Sequence, residues 1–307
     1  MRRHVDAGLE AQGAPEWLAR PERGSARANR LIVWVALRLG RPAARLLLYP
    51  ICLYFFLFSG AARAASRKYL GKVLGRPPGF GDVFRHYHTF AATILDRVYL
   101  LNGQYGRFDV RAHGADIVDS VLARGDGCLL LGAHIGSFEI IRSLGRDARG
   151  LRVSLVMYEE NARKLNSVLE AINPDLNLQV IPLGKLDSML KLDEALQSGT
   201  CVGMLGDRTI EAEGTLACPF LGEPAQLAVG PMRIAAMLKR PLVLMFGLYR
   251  GGSRYDVHFE RLADFGAVGR KDRGAAIEQA LRQYAERMEH YCRLAPYNWF
   301  NFYDFWK

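Results

Sequence analysis

His134 and Glu139 are side chains whose types and spacing could do acid–base chemistry together. They lie in His134-Ile135-Gly136-Ser137-Phe138-Glu139, which follows the apolar run from Cys128 to Ala133. A neutral imidazole can take a proton from a hydroxyl. A carboxylate on the other ring nitrogen fixes the tautomer and steadies the imidazolium. Residues five apart within one helix diverge by about 140°, so His134 is expected just before a helix and Glu139 in its first turns. Gly136 would let a ligand approach the backbone closely, and the helix N-terminus would offer N–H groups to an anion or a developing oxyanion. The competing reading is a strand-end histidine satisfied by a nearby carbonyl. The motif alone weighs the two equally.

The elements that must position this pair alternate along the chain. Strands are predicted at Cys128–Ala133, Leu151–Met157, Gln179–Pro182, Cys201–Leu205, Pro241–Tyr249 and Tyr255–Phe259. Helices are predicted after His134 and over Asn161–Ile172, Leu186–Gln197, Gly230–Leu238 and Gly274–Cys292. A further helix is expected from Gly81 to Leu101, where Val83, Tyr87, Phe90, Ile94 and Val98 recur every three or four residues. This predicts an α/β fold with a mixed, mostly parallel sheet flanked by helices. In such sheets reactive groups gather at the carboxyl ends of strands, and Gly132-Ala133-His134 is such an end. His86 and His88 point about 200° apart on a helix and are read as core or solvated residues. Ser137 lacks the flanking glycines of a nucleophile elbow and is read as a helix N-terminal hydroxyl. No Walker A, G-x-G-x-x-G or zinc-spaced cluster occurs in the sequence.

Charge is unevenly placed. The net charge is +10, and residues 1–76 hold 14 Lys/Arg against 4 Asp/Glu, while the rest holds 27 against 27. A neutral folded part argues against a nucleic-acid partner. Residues 1–30 read as a disordered basic tail, and residues 31–68 as a membrane-anchor segment. Within the latter, Leu46–Ala62 is 17 uncharged residues, at the lower edge of the ~17–25 that span a bilayer. Arg38, Arg41 and Arg45 precede it, and Arg63, Arg67 and Lys68 follow. Cations on both flanks suit an interfacial helix on an anionic membrane surface, although the length permits spanning. Residues 69–80, with three glycines and two prolines, read as a linker. The five cysteines have no C-x-x-C spacing, which points away from zinc or a disulfide framework and toward a reducing compartment.

Four blocks in order resemble the bacterial lauroyl/myristoyl acyltransferases of lipid A biosynthesis, within the glycerolipid acyltransferase superfamily. They are Gly132-Ala133-His134 through Glu139, similar to that family's H-x4-D/E; Met204-Leu-Gly-Asp207-Arg208; Cys218-Pro219-Phe220-Leu221-Gly222 with the helix after it; and Ala295-Pro296-Tyr-Asn-Trp299, similar to its P-x-x-W segment. The resemblance covers residues 30–306 and implies an acyltransferase domain over 81–307. It implies acyl transfer from an acyl carrier protein or coenzyme A thioester to a hydroxyl of a membrane lipid or glycolipid, with no metal and no cofactor beyond that co-substrate. His134 would be the base and Glu139 its orienter. Asp207 would help organise the site. Arg208 would bind substrate at an oxyanion or an acceptor phosphate, or else pair with Asp207. The implied location is the bacterial inner membrane, with the catalytic domain on its cytoplasmic face. Two departures weaken the case for a heavily phosphorylated acceptor: only Lys185 stands where the family has an arginine-rich stretch, and an aromatic run, Asn298-Trp299-Phe-Asn-Phe-Tyr-Asp-Phe-Trp306, replaces a basic end. That run resembles a relative found alongside aryl-polyene synthesis, and it suits either an acyl or aryl groove or an ordinary core segment. Aryl-polyene or other lipid assembly, a non-catalytic lipid-binding scaffold and a thioester hydrolase remain the alternative functions.

Overall fold

The computed structural model describes residues 26–123, 125, 127–149, 152–158, 172, 180–184, 187–208 and 214–307. The helix expected over Asn161–Ile172 lies outside them apart from its last residue, as do Lys185 and most of the N-terminal tail.

The N-terminal third is helical: α1 (Ala26–Phe58), α2 (Gly60–Leu74) and α3 (Phe80–Leu101). A short strand β1 (Asp109–His113) and α4 (Ala115–Leu122) lead into β2 (Leu129–Gly132), α5 (Phe138–Arg149) and β3 (Val153–Tyr158). Then come β4 (Val180–Leu183), α6 (Ser188–Gln197), β5 (Cys201–Leu205), the pair β6 (Thr215–Phe220) and β7 (Glu223–Ala228), and α7 (Gly230–Leu238). Two long strands, β8 (Pro241–Gly251) and β9 (Arg254–Asp264), precede α8 (Arg273–Leu294). The fold is α/β. Seven strands form one sheet in the order β1-β9-β8-β2-β5-β3-β4. All its pairings are parallel except β8 with β9.

The central strand β2 is Leu-Leu-Leu-Gly, buried on both faces as a parallel strand between helical layers must be. Its register on β5 sets Leu129 opposite Val202 and Gly132 opposite Leu205. Two residues beyond that last pair stand His134 and Asp207. On β9, Tyr255 reaches Asp96 of α3, whereas His258 lies against Tyr291 of α8. Alternate residues of the strand thus face the α1–α3 layer and the α8 layer.

The expectations for residues 31–80 need revision in two places. The linker is shorter than 69–80, because α2 runs to Leu74 and buries Tyr69, Leu70 and Val73. Gly75, in the left-handed region, closes that helix and Pro77 and Pro78 follow. Some of the basic flanking residues also turn toward the protein, while Arg38, Arg67 and Lys68 stay exposed. Arg41 forms a bidentate pair with Asp96 (2.7 and 2.8 Å), and Arg45 donates to Tyr249 Oη (2.8 Å). Arg63 donates to the carbonyls of Phe56 and Leu57 at the end of α1, and Lys68 pairs with Asp304. Helix α1 kinks at Gly40 (φ 81°), just before Pro42. Its Val33–Phe58 stretch, 26 residues with mean hydropathy 1.3, is long and apolar enough to cross a membrane. Ala36, Ala44, Leu48, Cys52 and Phe56 nevertheless join the core, while Trp34, Leu46, Tyr49, Leu53, Leu57 and Phe58 are exposed.

β1, β6 and β7 were not expected. β1 is an exposed edge strand of mixed polarity. β6 and β7 form a separate antiparallel pair whose turn residues Leu221 (φ 52°) and Gly222 (φ 85°) both have positive φ. That is the geometry of a tight two-residue hairpin, so Pro219-Phe220-Leu221-Gly222 is a hairpin tip. It delivers fully buried Phe220 against Trp299 and Trp306.

Candidate active site

The loop after β2 is zipped on both sides. Ser137 N donates to Gly247 O of β8 (2.8 Å) and Gly136 N to Asn298 O (2.8 Å), while Phe300 N donates to His134 O (2.8 Å). Gly136 has φ 69°, and a Cβ there would lie 1.9 Å from Gly247 O. The close approach that requires glycine is therefore made by strand β8, and not by a ligand. Ser137 Oγ is buried with no hydrogen-bond partner, so it caps nothing.

His134 meets Asp207. Nδ1 lies 2.8 Å from Oδ1, and the backbone N–H of His134 donates to Oδ2 (3.1 Å). A carboxylate only accepts, so Nδ1 carries the proton and Nε2 keeps its lone pair. Asp207 is fully buried and takes two more donors on Oδ2, Trp299 Nε1 (2.9 Å) and Asn301 Nδ2 (3.0 Å). Burial alone would raise its pKa, but His134, Arg208 and Trp299 outweigh that and hold it well below the usual carboxylate range. His134 is held below its usual value, chiefly because its partly buried position disfavours the charged ring and next because of the Arg208 guanidinium, against the opposing pull of Asp207. The ring is thus a neutral base at pH 7.

Arg208 donates to Asn301 Oδ1 (3.1 Å) and more distantly to Phe300 O (3.4 Å), and its guanidinium faces the Tyr303 ring. Glu139 sits in the first turn of α5, as expected, but its ion pair is with Arg97 of α3 (2.8 Å). The structure therefore brings His134, Asp207 and Arg208 together and sets Glu139 beside Arg97. His134 and Arg208, together with Arg97 and Glu139, line one cavity of about 270 Å³, walled also by Phe90, Phe138, Phe300, Phe302 and Tyr303, with Asp207 buried behind His134. The aromatic C-terminal run serves two ends. Trp299 and Phe305 pack in the core, and Phe300, Phe302 and Tyr303 face the cavity.

Trp299 and Asn301 were missed as site residues. The P-x-x-W resemblance marked the first, but nothing in the spacing tied either to Asp207. His86 is buried beneath them. Its Nε2 lies 2.8 Å from the Trp299 carbonyl, which can only accept, so Ser66 Oγ donates to Nδ1 (2.8 Å).

This arrangement, an imidazole on a buried carboxylate beside a largely apolar cavity, is one that can do general-base chemistry. The sequence profile described as bacterial lipid A biosynthesis acyltransferase matches residues 30–307. The chain belongs to that family. Acyl transfer of the lipid A type is the activity the family carries. No individual curated protein matches the chain. The H-x4-E spacing joins His134 and Glu139 in the sequence, yet the carboxylate on the His134 ring is the one two residues past β5.

Among the described residues, one group could hold a metal ion. The ligand atoms of His113, Asp256 and His258 lie within 4.8 Å of one another. They stand on β1 and β9, on the face covered by α8, outside the cavity, and Asp256 already pairs with Arg250 (3.1 Å).

Proposed function

We propose that the chain is an O-acyltransferase that moves a fatty or related acyl group from an acyl carrier protein or coenzyme A thioester to a hydroxyl of a membrane lipid or glycolipid. The observation that supports this most is His134 in the wall of a largely apolar cavity with buried Asp207 on its Nδ1, which leaves Nε2 as proton acceptor. His134 Nε2 takes the hydroxyl proton as the oxygen attacks the thioester carbon. A C–O bond forms and the carbonyl electron pair moves onto oxygen. Collapse of that intermediate breaks the C–S bond, and the imidazolium returns its proton to the leaving thiolate. Asp207 keeps the ring in the right tautomer and offsets its transient charge.

The exposed apolar face of α1 supports membrane binding with the helix lying in the interface, since its other face is committed to the core. Phe90 and Ile94 of α3 are exposed and also line the cavity, so a lipid acceptor would enter from an apolar surface. A thioester donor made in the cytoplasm supports a location of the domain on that face of the inner membrane.

The test uses full-length protein with an acyl thioester and a lipid acceptor, product being followed by mass spectrometry. His134→Ala is expected to abolish transfer. Asp207→Asn, which preserves shape but allows the wrong tautomer, is expected to lower kcat by about 10³–10⁴-fold. Near-normal transfer by a folded His134→Ala protein would remove the base from the mechanism.

A further inference from the structure

Four backbone donors around His134 are committed elsewhere. The backbone N–H groups of His134, Gly136 and Ser137 bond to Asp207, Asn298 and Gly247, and that of Phe300 to His134 O. Arg208 is engaged with Asn301 and Phe300 beside Asp207. The other guanidinium lining the cavity is Arg97. It reaches the wall from α3 and forms an ion pair with Glu139 at the N-terminus of α5 (Nε to Oε1 2.8 Å). A guanidinium spreads its charge and its donors over three nitrogens, so one ion contact with Glu139 keeps a cation with further donors in the cavity wall.

We propose that Arg97 is a catalytic residue that receives the negative charge developing on the thioester carbonyl oxygen, and that Glu139 is a positioning residue that holds it there. This rests on the acyl-transfer reading above. Glu139 then serves the electrophilic half of the reaction, while Asp207 serves the basic half. The balance of the step is unchanged: the carbonyl π pair moves onto oxygen when the C–O bond forms and returns when the C–S bond breaks. Arg97 stabilises that oxygen throughout and transfers no proton. Its fixed donors would be worth most at this point because the charge exists only near the transition state. The positive field of Arg97 also helps keep His134 neutral.

The experiment compares kcat, KM and pH profiles of wild type with Arg97→Ala, Arg97→Lys, Glu139→Gln and Arg97→Ala/Glu139→Gln. His134→Ala runs in the same assay. Arg97→Ala is expected to lower kcat by about 10²–10³-fold with KM nearly unchanged, and free guanidinium is expected to restore part of it. Its acid limb should move to higher pH, because a cation near His134 is gone; Asp207→Asn should move it the other way. Glu139→Gln should lower kcat too, and the double variant should be no worse than Arg97→Ala. Since Arg97→Ala leaves a carboxylate unpaired, the double variant also controls for folding, checked by thermal unfolding.

Three results overturn the proposal. One is a normal kcat in Arg97→Ala. Another is a loss confined to KM, which would make Arg97 a binder of an anionic acceptor group. The third is additive losses at the two positions with the Glu139→Gln profile matching Asp207→Asn, which would make Glu139 an orienter of His134. If His134→Ala is active, the parent reading fails instead. If His134→Ala is inactive and Arg97→Ala is normal, only this inference fails.

Discussion

Single residues in the site are set by what water cannot reach. Asp207 is a buried anion held by four N–H donors, two of them from Trp299 and Asn301. Trp299→Phe removes one donor and keeps most of the ring, and is expected to lower kcat with thermal stability nearly kept; equal losses in both would point to a packing role alone. His86 illustrates the opposite use of burial. Exclusion of water lowers its pKa to about 4 from 6.5, with only the Trp299 carbonyl opposing. The unfolded chain therefore binds a proton that the folded one refuses between those values. Stability is unaffected by this group above pH 6.5 and falls as pH drops from 6.5 toward 4, by about 3 kcal/mol from ~1.4 kcal/mol per unit. Denaturant unfolding at pH 7 and pH 5 should show a smaller decrease for His86→Gln than for wild type. An equal decrease would sink the assignment.

At the scale of elements, parallel neighbours β2 and β5 do the essential work. Their register carries two residues past Gly132 and Leu205, which lays His134 against Asp207 although 73 positions separate them. The strand, the turn and the helix around His134 were legible from the apolar run, the glycine and the return of helical spacing. The partner of His134 was not, because local spacing favours the carboxylate five residues away over one that only strand register delivers. The hairpin β6–β7 was hidden for a related reason: its residues pack on the C-terminal aromatic run and not on the main sheet. Gly136 tests the element scale directly. Gly136→Ala puts a methyl where the Gly247 carbonyl stands and forces a positive φ on an L-residue. A loss of several kcal/mol in stability, or of folded protein altogether, is expected from such overlap. A stable, active Gly136→Ala protein would mean that the loop can leave β8.

Across the whole molecule, α1 joins two surfaces. Its inner face is anchored by the Arg41–Asp96 pair, in which Asp96 is fully buried and also accepts from Tyr255 Oη (2.8 Å). Arg41→Ala leaves that carboxylate without its cation and should cost about 3–5 kcal/mol, read as a lower denaturation midpoint. Its outer face offers Trp34, Leu53 and Phe58. Replacing these three with serine should weaken sedimentation with anionic lipid vesicles by at least about tenfold, since each withholds on the order of 1 kcal/mol or more of burial. Unchanged sedimentation of a folded triple variant would place the membrane contact elsewhere. The sequence showed the apolar segment plainly. It could not show that Arg41 and Arg45 point into the protein, because a flanking cation looks the same whether its partner is a lipid phosphate or an aspartate 55 positions on.

The segment from Asn298 to Asn301 supplies the carbonyl that takes Gly136 N, the amide that takes His134 O, and two donors to Asp207. During translation, the histidine and its aspartate leave the ribosome long before this segment does. A nascent chain that stops short of it lacks these four contacts, so the site is complete only once synthesis has passed residue 301.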